Sequence, residues 1–341
     1  MKRSLSTMLL AGLAALVAVA VPLGAAETIT DQSVTDAVED ELLFDQAVPA
    51  NKINLTTAEG VVTLRGAVNN ALAKQRAARL AETVKGVRSV VNRITVEPPA
   101  GLDDATLKRD VVEALAYDPA TESYELDVSV TDGVVTLSGT TQSWQEKSLA
   151  EQTAMSVRGV TDVRNNISVN YSADRPDMEI RPEIEEALRW DTMVDDGLID
   201  VEVDDGKVTL TGTVGSAAEK RRARYTAWVP GVTAIDTSPL NVERWARDED
   251  LRKTKYVNKS SEAMRNAVAD ALLYDPRVLA TNVTVDMTGS VATLRGEVRN
   301  AKAKRAAEQV AKRTVGVSSV VNRLKVRPEA ERADEEIADS V

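Results

Sequence analysis

The sequence contains no cysteine and no histidine, and aromatic residues make up only 3% of its 341 positions. Without cysteine there is no disulfide framework, thiol nucleophile, thiolate zinc site or iron–sulfur cluster. Without histidine there is no Ser-His-Asp triad, no His-ligated metal or haem, and no imidazole pH switch. Carboxylate, lysine, tyrosine and serine chemistry remain, as glycosidases and Ser-Lys enzymes use them. No pair of carboxylates recurs at a spacing that would make a catalytic couple, so the composition predicts neither an enzyme nor a cofactor. Asp200, Glu202, Asp204 and Asp205-Gly206 look superficially like a calcium loop. The glycine falls at the seventh position instead of the sixth, and the alternation with Val201 and Val203 is that of a strand entering a turn, so no metal site is expected there.

Long apolar runs are also scarce. The one example, Met8 to Val21, follows Lys2 and Arg3 and leads into Pro22-Leu23-Gly24-Ala25-Ala26. Basic start, apolar middle and small residues at the end are the pattern of a secretory leader, expected to be residues 1–26 with cleavage after Ala26. No cysteine follows it to carry a lipid. No later stretch is long and apolar enough to cross a bilayer, so the mature chain is expected in the periplasm or outside the cell, peripheral to membranes and not transmembrane.

What the sequence has is repetition. Gly60-Val-Val-Thr-Leu-Arg-Gly66 recurs as Gly133-Val-Val-Thr-Leu-Ser-Gly139, Gly206-Lys-Val-Thr-Leu-Thr-Gly212 and Ser290-Val-Ala-Thr-Leu-Arg-Gly296. The closing glycines lie 73, 73 and 84 residues apart. Twenty-two residues upstream of each, an apolar helix ends in an aromatic and an aspartate: Phe44-Asp45, Tyr117-Asp118, Trp190-Asp191 and Tyr274-Asp275. A second glycine follows at Gly86, Gly159, Gly231 and Gly316. The periodicities between these landmarks predict a helix (Val34, Val38, Leu42), a strand (Ile53, Leu55), a tight turn marked by Asp132-Gly133 and Asp205-Gly206, and the GxVTLxG strand. A second helix from about Asn69 to Val84 and a last strand (Ile94, Val96) complete the unit.

The fold class is therefore α+β: four tandem α-β-β-α-β domains, each with two helices on one face of a mixed three-stranded sheet. They span residues 31–97, 103–171, 177–243 and 260–327, with a charged linker over 244–259 as the expected hinge and an acidic tail over 328–341. The four aromatics before aspartate are expected to pack in the core or at helix ends, and their aspartates to organise turns.

The αββαβ order, the GxVTLxG strand, the aromatic-Asp helix end, and a VxGV turn leading to an asparagine (Gly86-Val87 with Asn92, Gly159-Val160 with Asn165, Gly316-Val317 with Asn322) together resemble the BON domain. That family is named for osmotically induced periplasmic and nodulation proteins of bacteria. The resemblance covers about Asp31 to Arg327; the third unit departs from it, with Thr237 in place of the asparagine and Pro239 beside the last strand. It implies a non-catalytic envelope module that binds phospholipid or a membrane surface and serves tolerance of osmotic or envelope stress, and it carries no fixed set of binding residues.

Charge separates the four units. Their formal charges are -1, -7, -8 and +6 in order, and the third linker adds +3, within a chain of net charge -11. On the second helix of the fourth unit, Arg299, Lys302, Lys304, Arg305, Lys312 and Arg313 form a candidate contact with anionic phospholipid. Trp245, between Arg244 and Arg247, is a candidate interfacial anchor. Two other readings stay open for these residues: an ordinary solvated helix face, or an internal partner for the acidic units. For the whole chain, the alternative is a periplasmic scaffold or chaperone-like module that binds envelope proteins and touches no lipid. The acidity, the few aromatics and the leader argue against nucleic acid as a partner.

Overall fold

The computed structural model describes residues 29–97, 101–118, 121, 126–171, 175–247, 253–256, 259–278 and 282–327. The expected leader, the Pro98-Pro99-Ala100 connection and the acidic tail lie outside the described residues.

Repeat 1 consists of α1 (Asp31–Phe44), β1 (Ile53–Ala58), β2 (Val61–Val68), α2 (Ala71–Thr83) and β3 (Ser89–Val96). Repeat 2 follows as α3 (Asp104–Tyr117), β4 (Leu126–Thr131), β5 (Val134–Thr141), α4 (Trp144–Ser156), β6 (Asp162–Asn165) and β7 (Ser168–Val169). Repeat 3 is α5 (Asp177–Trp190), β8 (Ile199–Asp204), β9 (Lys207–Val214), α6 (Ala217–Thr226), β10 (Ala234–Asp236) and β11 (Leu240–Val242). Repeat 4 is α7 (Ser261–Leu273), β12 (Val283–Thr288), β13 (Val291–Val298), α8 (Ala301–Lys312), β14 (Ser319–Asn322) and β15 (Lys325–Val326). In every sheet the GxVTLxG strand is central, antiparallel to the strand before it and parallel to the one after the second helix. Val34, Val38 and Leu42 of α1 meet Val62, Leu64, Ala77 and Ile94 in one core, and the other repeats copy the pattern.

The landmarks have mechanical roles. Each closing glycine is at positive φ (132° at Gly66), and a β-carbon on Gly66, Gly212 or Gly296 would collide with the carbonyl of Lys52, Leu198 or Asn282. Glycine is therefore required for the close approach of the two strands. The asparagine ties the last strand to the second helix: Asn92, Asn165 and Asn322 donate through Nδ2 to the carbonyls of Lys74, Lys147 and Lys304, at 2.7, 3.0 and 2.8 Å. Each also accepts from the backbone two residues on. Repeat 3, with Thr237 there, shows the consequence. The last strand is interrupted in repeats 2 and 4 as well, but there the register is kept, whereas in repeat 3 it shifts by one residue between Asp236↔Thr209 and Leu240↔Gly212.

The first helix also holds the hairpin. Glu59-Gly60, Asp132-Gly133 and Asp205-Gly206 all have positive φ, the pattern of a two-residue type I′ turn. In each case the carboxylate opening the helix, Asp31, Asp104 or Asp177, accepts both turn N–H groups at 2.8–3.0 Å. The hairpin turn of repeat 4 has positive φ only at Gly289, as a type II′ turn requires. The middle peptide of that turn is flipped and presents a carbonyl. Ser261 stands where the aspartates stand, and its hydroxyl donates to Gly289 O at 3.5 Å.

The first three repeats close on one another through their second helices. Ala71, the first residue of α2, is buried in the core of repeat 2, with Ala71 N donating to Val160 O at 3.1 Å and Gly159 N to Asn69 O at 3.3 Å. Trp144, at the same register in repeat 2, packs on the core of repeat 3: its ring stacks on Trp228 at 4.8 Å and meets Tyr225 edge-on at 5.5 Å. Beside it, Gln145 Nε2 donates to Trp228 O at 2.6 Å, and the half-buried Tyr171 hydroxyl, its pKa pushed up to about 12 by burial, donates to Val232 O. Ala217, again at that register, is buried in the core of repeat 1, where Arg221 pairs with Glu82. Three repeats thus form a pseudo-threefold ring, each inserting the start of its second helix into the next. In repeat 4 the corresponding Ala301 is exposed.

Repeat 4 docks instead on the end of α5. Val315 N donates to Trp190 O at 2.9 Å, Thr192 N donates to Arg313 O at 3.0 Å, and Asp191 bridges Thr314. The linker expected to be a hinge is pinned in the same region. Lys255 is 7% exposed, and its Nζ donates to Leu188 O at 2.9 Å and Val194 O at 2.5 Å, 3.0 Å from Asp196 Oδ1. A buried ammonium that saturates the open carbonyls of a helix end is a fastening, because withdrawing it exposes all of its partners at once.

Two outcomes follow for urea unfolding. Trp144→Ala is expected to cost about 2–3 kcal/mol and to split the unfolding of repeats 2 and 3 into separate steps. Lys255→Ala strands two buried carbonyls at a cost of about 2–3 kcal/mol, with hydrogen exchange quickening first around Val194 and the linker.

Candidate functional site

The start of α8 is set by Asn300, whose side chain caps Ala303 N at 2.8 Å. Ala303, Ala306, Ala307 and Ala311 face the core, so every long side chain of the helix points elsewhere. Lys302, Arg305 and Lys312 are exposed. Lys302 and Arg305 occupy the face that repeats 1 to 3 bury in the ring: Arg305 corresponds to Gln75, Ser148 and Arg221. Lys312 pairs with Glu308 at 2.6 Å, and that hydrogen bond, with a second from Asn322, holds the Glu308 carboxyl below its ordinary pKa. Lys304 is half-buried on the side of α8 that Asn322 fastens.

The other candidates are placed differently. Arg313 is half-buried at the junction with repeat 3, where burial, with Arg222 and Arg277 nearby, lowers its pKa. At that junction Arg222 binds Asp191 at 2.5 Å and lies 5.3 Å from the Tyr225 ring centre. Trp245 is 57% exposed, but it belongs to the short helix Arg244–Arg247, whose Ala246 is buried, and that turn follows the last strand of repeat 3. The structure therefore gathers Arg299, Lys302 and Arg305 on one side of repeat 4 and sets Arg313 into an internal joint.

Arg299, Lys302 and Arg305 line a cavity of about 310 Å³ between repeats 4 and 2, together with Arg277, Asp118 and Leu149. Arg277 makes a two-point bond to Asp275, 2.9 and 2.5 Å, which raises its pKa and keeps it charged. Asp118 is one of the landmark aspartates, whereas Arg277 and Leu149 were not singled out from the sequence. Asp45 and Asp191 bind Arg76 and Arg222 of their own repeats, thirty-one residues on. Leu149 holds that place in repeat 2, and Arg277 of repeat 4 lies within electrostatic reach of Asp118.

Of the four aromatics expected in the core or at helix ends, Phe44, Tyr117 and Tyr274 stand exposed at helix ends, at 83%, 62% and 43%, and Trp190 is half-buried with Lys259 Nζ 5.3 Å from its ring centre. Their aspartates do organise the following turn, as Asp45, Asp191 and Asp275 accept backbone N–H groups two residues on. Of the acidic loop in repeat 3, Asp204 and Asp205 lie with Asp177 such that carboxylate oxygens are within 4.8 Å of one another. That proximity follows from the turn, since both oxygens of Asp177 are already taken by Asp205 N and Gly206 N. Among the described residues, no helix is long and apolar enough to cross a membrane.

Comparison with known proteins places these features. The chain is 33% identical over 145 residues to osmotically-inducible protein Y of Escherichia coli strain K12, covering 40% of this chain and 71% of that one. Among solved structures it is similar to the C-terminal domain of CdsD, a structural protein of the type III secretion system of Chlamydia trachomatis. That likeness has 17% identity over 67% of this chain and all of the other, with a TM-score of 0.19. A second CdsD structure gives 15% identity, 66% and 98% coverage, and a TM-score of 0.18. TM-scores of that size support no statement about this fold. The BON domain model matches residues 30–98, 103–171, 176–244 and 260–328, nearly all of the chain after its first thirty residues. The four repeats are BON domains, and the chain belongs to the BON domain family.

Proposed function

We propose that this chain is an exported, non-catalytic protein of the bacterial envelope, serving osmotic or envelope stress, that docks on anionic phospholipid through repeat 4. The name of the relative at 33% identity supports the osmotic connection, and the leader pattern of residues 1–26 supports export to the periplasm. The observation that carries the lipid reading is the exposure of Lys302 and Arg305. They stand on the helix face that the other three repeats spend on one another, in the only repeat of positive charge.

The strength follows from counting. Basic side chains near an anionic surface contribute about 1 kcal/mol each, and with Arg313 committed to the internal joint five remain on or beside α8. About 5 kcal/mol corresponds to a dissociation constant of a few tenths of a millimolar, weak and screened within about 10 Å at moderate salt. Docking of this kind is reversible and senses ionic strength. Trp245 sits on repeat 3 and adds to it only where the membrane meets both repeats.

The test is co-sedimentation of the mature protein with phosphatidylglycerol and with phosphatidylcholine vesicles at low and physiological salt. A variant with Lys302, Lys304, Arg305 and Lys312 changed to glutamine is run beside it. The expected result is binding to phosphatidylglycerol alone, weakened by salt and lost in the variant. A protein that stays in solution at low salt with both lipids removes the lipid reading and leaves α8 to a protein partner.

A further inference from the structure

Repeat 4 is fastened by a short edge of backbone at the end of α5, and the same edge recurs uncovered in repeat 1. Trp190-Asp191-Thr192 pairs with Arg313-Thr314-Val315 as one antiparallel bridge, in which Val315 N donates to Trp190 O at 2.9 Å and Thr192 N to Arg313 O at 3.0 Å. Phe44-Asp45-Gln46, at the end of α1, is built alike. Asp45 lies at φ -89°, ψ 116° and Asp191 at φ -83°, ψ 117°. Each aspartate accepts the N–H two residues on at 2.9 Å, and each carboxylate is held by an arginine of the second helix, Arg76 or Arg222. In repeat 1, however, the edge is open. Among the described residues, no backbone group meets Phe44 O or Gln46 N. Leu43 and Phe44 beside them are 69% and 83% exposed, whereas Trp190 is half-buried.

Proline sorts the four repeats. The residue after the aspartate is Pro119 in repeat 2 and Pro276 in repeat 4, neither of which has an N–H to give, but Gln46 in repeat 1 and Thr192 in repeat 3. Only repeats 1 and 3 can complete such a bridge, and repeat 3 already uses its N–H on repeat 4.

The occupant follows from symmetry. On each side of this kind of bridge the residue before offers its carbonyl and the residue after offers its N–H, so the pattern is two-fold. Phe44-Asp45-Gln46 is therefore its own complement. In two copies, Gln46 N of each meets Phe44 O of the other, and Leu43 and Phe44 cover their counterparts. Asp45 then stands opposite itself, which like charges disfavour. Its carboxylate is 8% exposed and bonded through both oxygens by Arg76, so each side arrives neutralised. Repeat 1, at formal charge -1, is also the unit of the ring at which two copies of an acidic chain repel least.

We propose that the end of α1 is a self-association surface through which two copies of this chain pair about a two-fold axis. Two hydrogen bonds and four apolar side chains make a small interface, below about 1,200 Å², so the pair is reversible and forms at high protein concentration. It does not depend on the lipid reading above.

The test is sedimentation equilibrium of the full mature protein over a concentration series. Beside it, fluorine resonance of protein grown on fluorophenylalanine reports Phe44 alone, the one phenylalanine of the chain. Gln46→Pro removes the donated N–H and copies the sequence of repeats 2 and 4. Leu43→Ser/Phe44→Ser removes the apolar cover at two exposed positions. Leu273→Ser alters the equivalent leucine of repeat 4, 59% exposed at the end of α7 and followed by Asp275-Pro276. The expected result is a mass rising from one chain toward two, with the Phe44 resonance moving along the same isotherm. The dissociation constant rises tenfold or more in the first two variants and is unchanged in the third. A mass of one chain throughout the series overturns the surface, as does a dimer that the first two variants leave intact. An assembly weakened equally by Leu273→Ser is general apolar clustering and overturns it too.

Discussion

A BON unit of roughly 68 residues is near the lower limit at which a single core can stand alone, so the apolar surface left on its second helix has to be covered by something. Three of the repeats cover it with one another. The first residue of that helix, Ala71, Trp144 or Ala217, is the point of insertion each time. Because the insertion runs from repeat 1 to 2, 2 to 3 and 3 back to 1, the chain needs no long connector to become compact. The small side chains slip between elements, while Trp144 fills a wider gap by lying flat on Trp228. Polar residues also meet along the three helices: Arg221, half-buried, has its pKa brought down to about 10 by that burial and by the nearby Arg79 and Arg222, and it pairs with Glu82 of repeat 1.

Repeat 4 is built from the same landmarks but addressed differently. Its turn is type II′, so a serine replaces the helix-opening aspartate. Its second helix begins with an exposed alanine, and Lys302 and Arg305 take the places of residues that make the ring. Arg221 holds the register of Arg305 inside the ring, where Glu82 of repeat 1 meets it, whereas Arg305 itself is exposed. What holds repeat 4 is the end of α5 and the buried Lys255, contacts that leave the basic side of α8 facing outward and toward repeat 2. Charge excess, exposure and position coincide there, which is why the functional reading rests on repeat 4 and not on the acidic ring.

The order of elements and the core were legible because they depend on periodicity within one repeat, as Val34, Val38 and Leu42 must share a helix face. The departure of repeat 3 at its last strand was legible at Thr237 and Pro239, and in the structure it is a one-residue shift of register. Ring closure was not, because the covering of Ala217 by repeat 1 is a contact between elements far apart in sequence that no period records. Phe44 and Tyr117 could be read as core or as helix-end residues, since size alone does not decide between them, and they stand exposed at helix ends. The charged linker looked like a hinge because composition cannot reveal that one of its lysines, Lys255, meets two open carbonyls of repeat 3. Of the site, the basic residues of α8 were visible in the charge count, whereas Arg277 and Leu149 became visible only when the other wall of the cleft was in place.

The closure of repeat 3 onto repeat 1 is the claim on which the exposure of α8 depends, and it can be measured directly because the chain has no cysteine of its own. Spin labels on cysteines introduced at Glu82 and Arg221 report the distance between two repeats that are not neighbours in sequence. A single narrow distribution at contact range is the result expected of the ring, and it should persist when repeat 4 is perturbed. A broad distribution reaching several repeat diameters would mean that the repeats follow one another as separate beads, and would contradict the account.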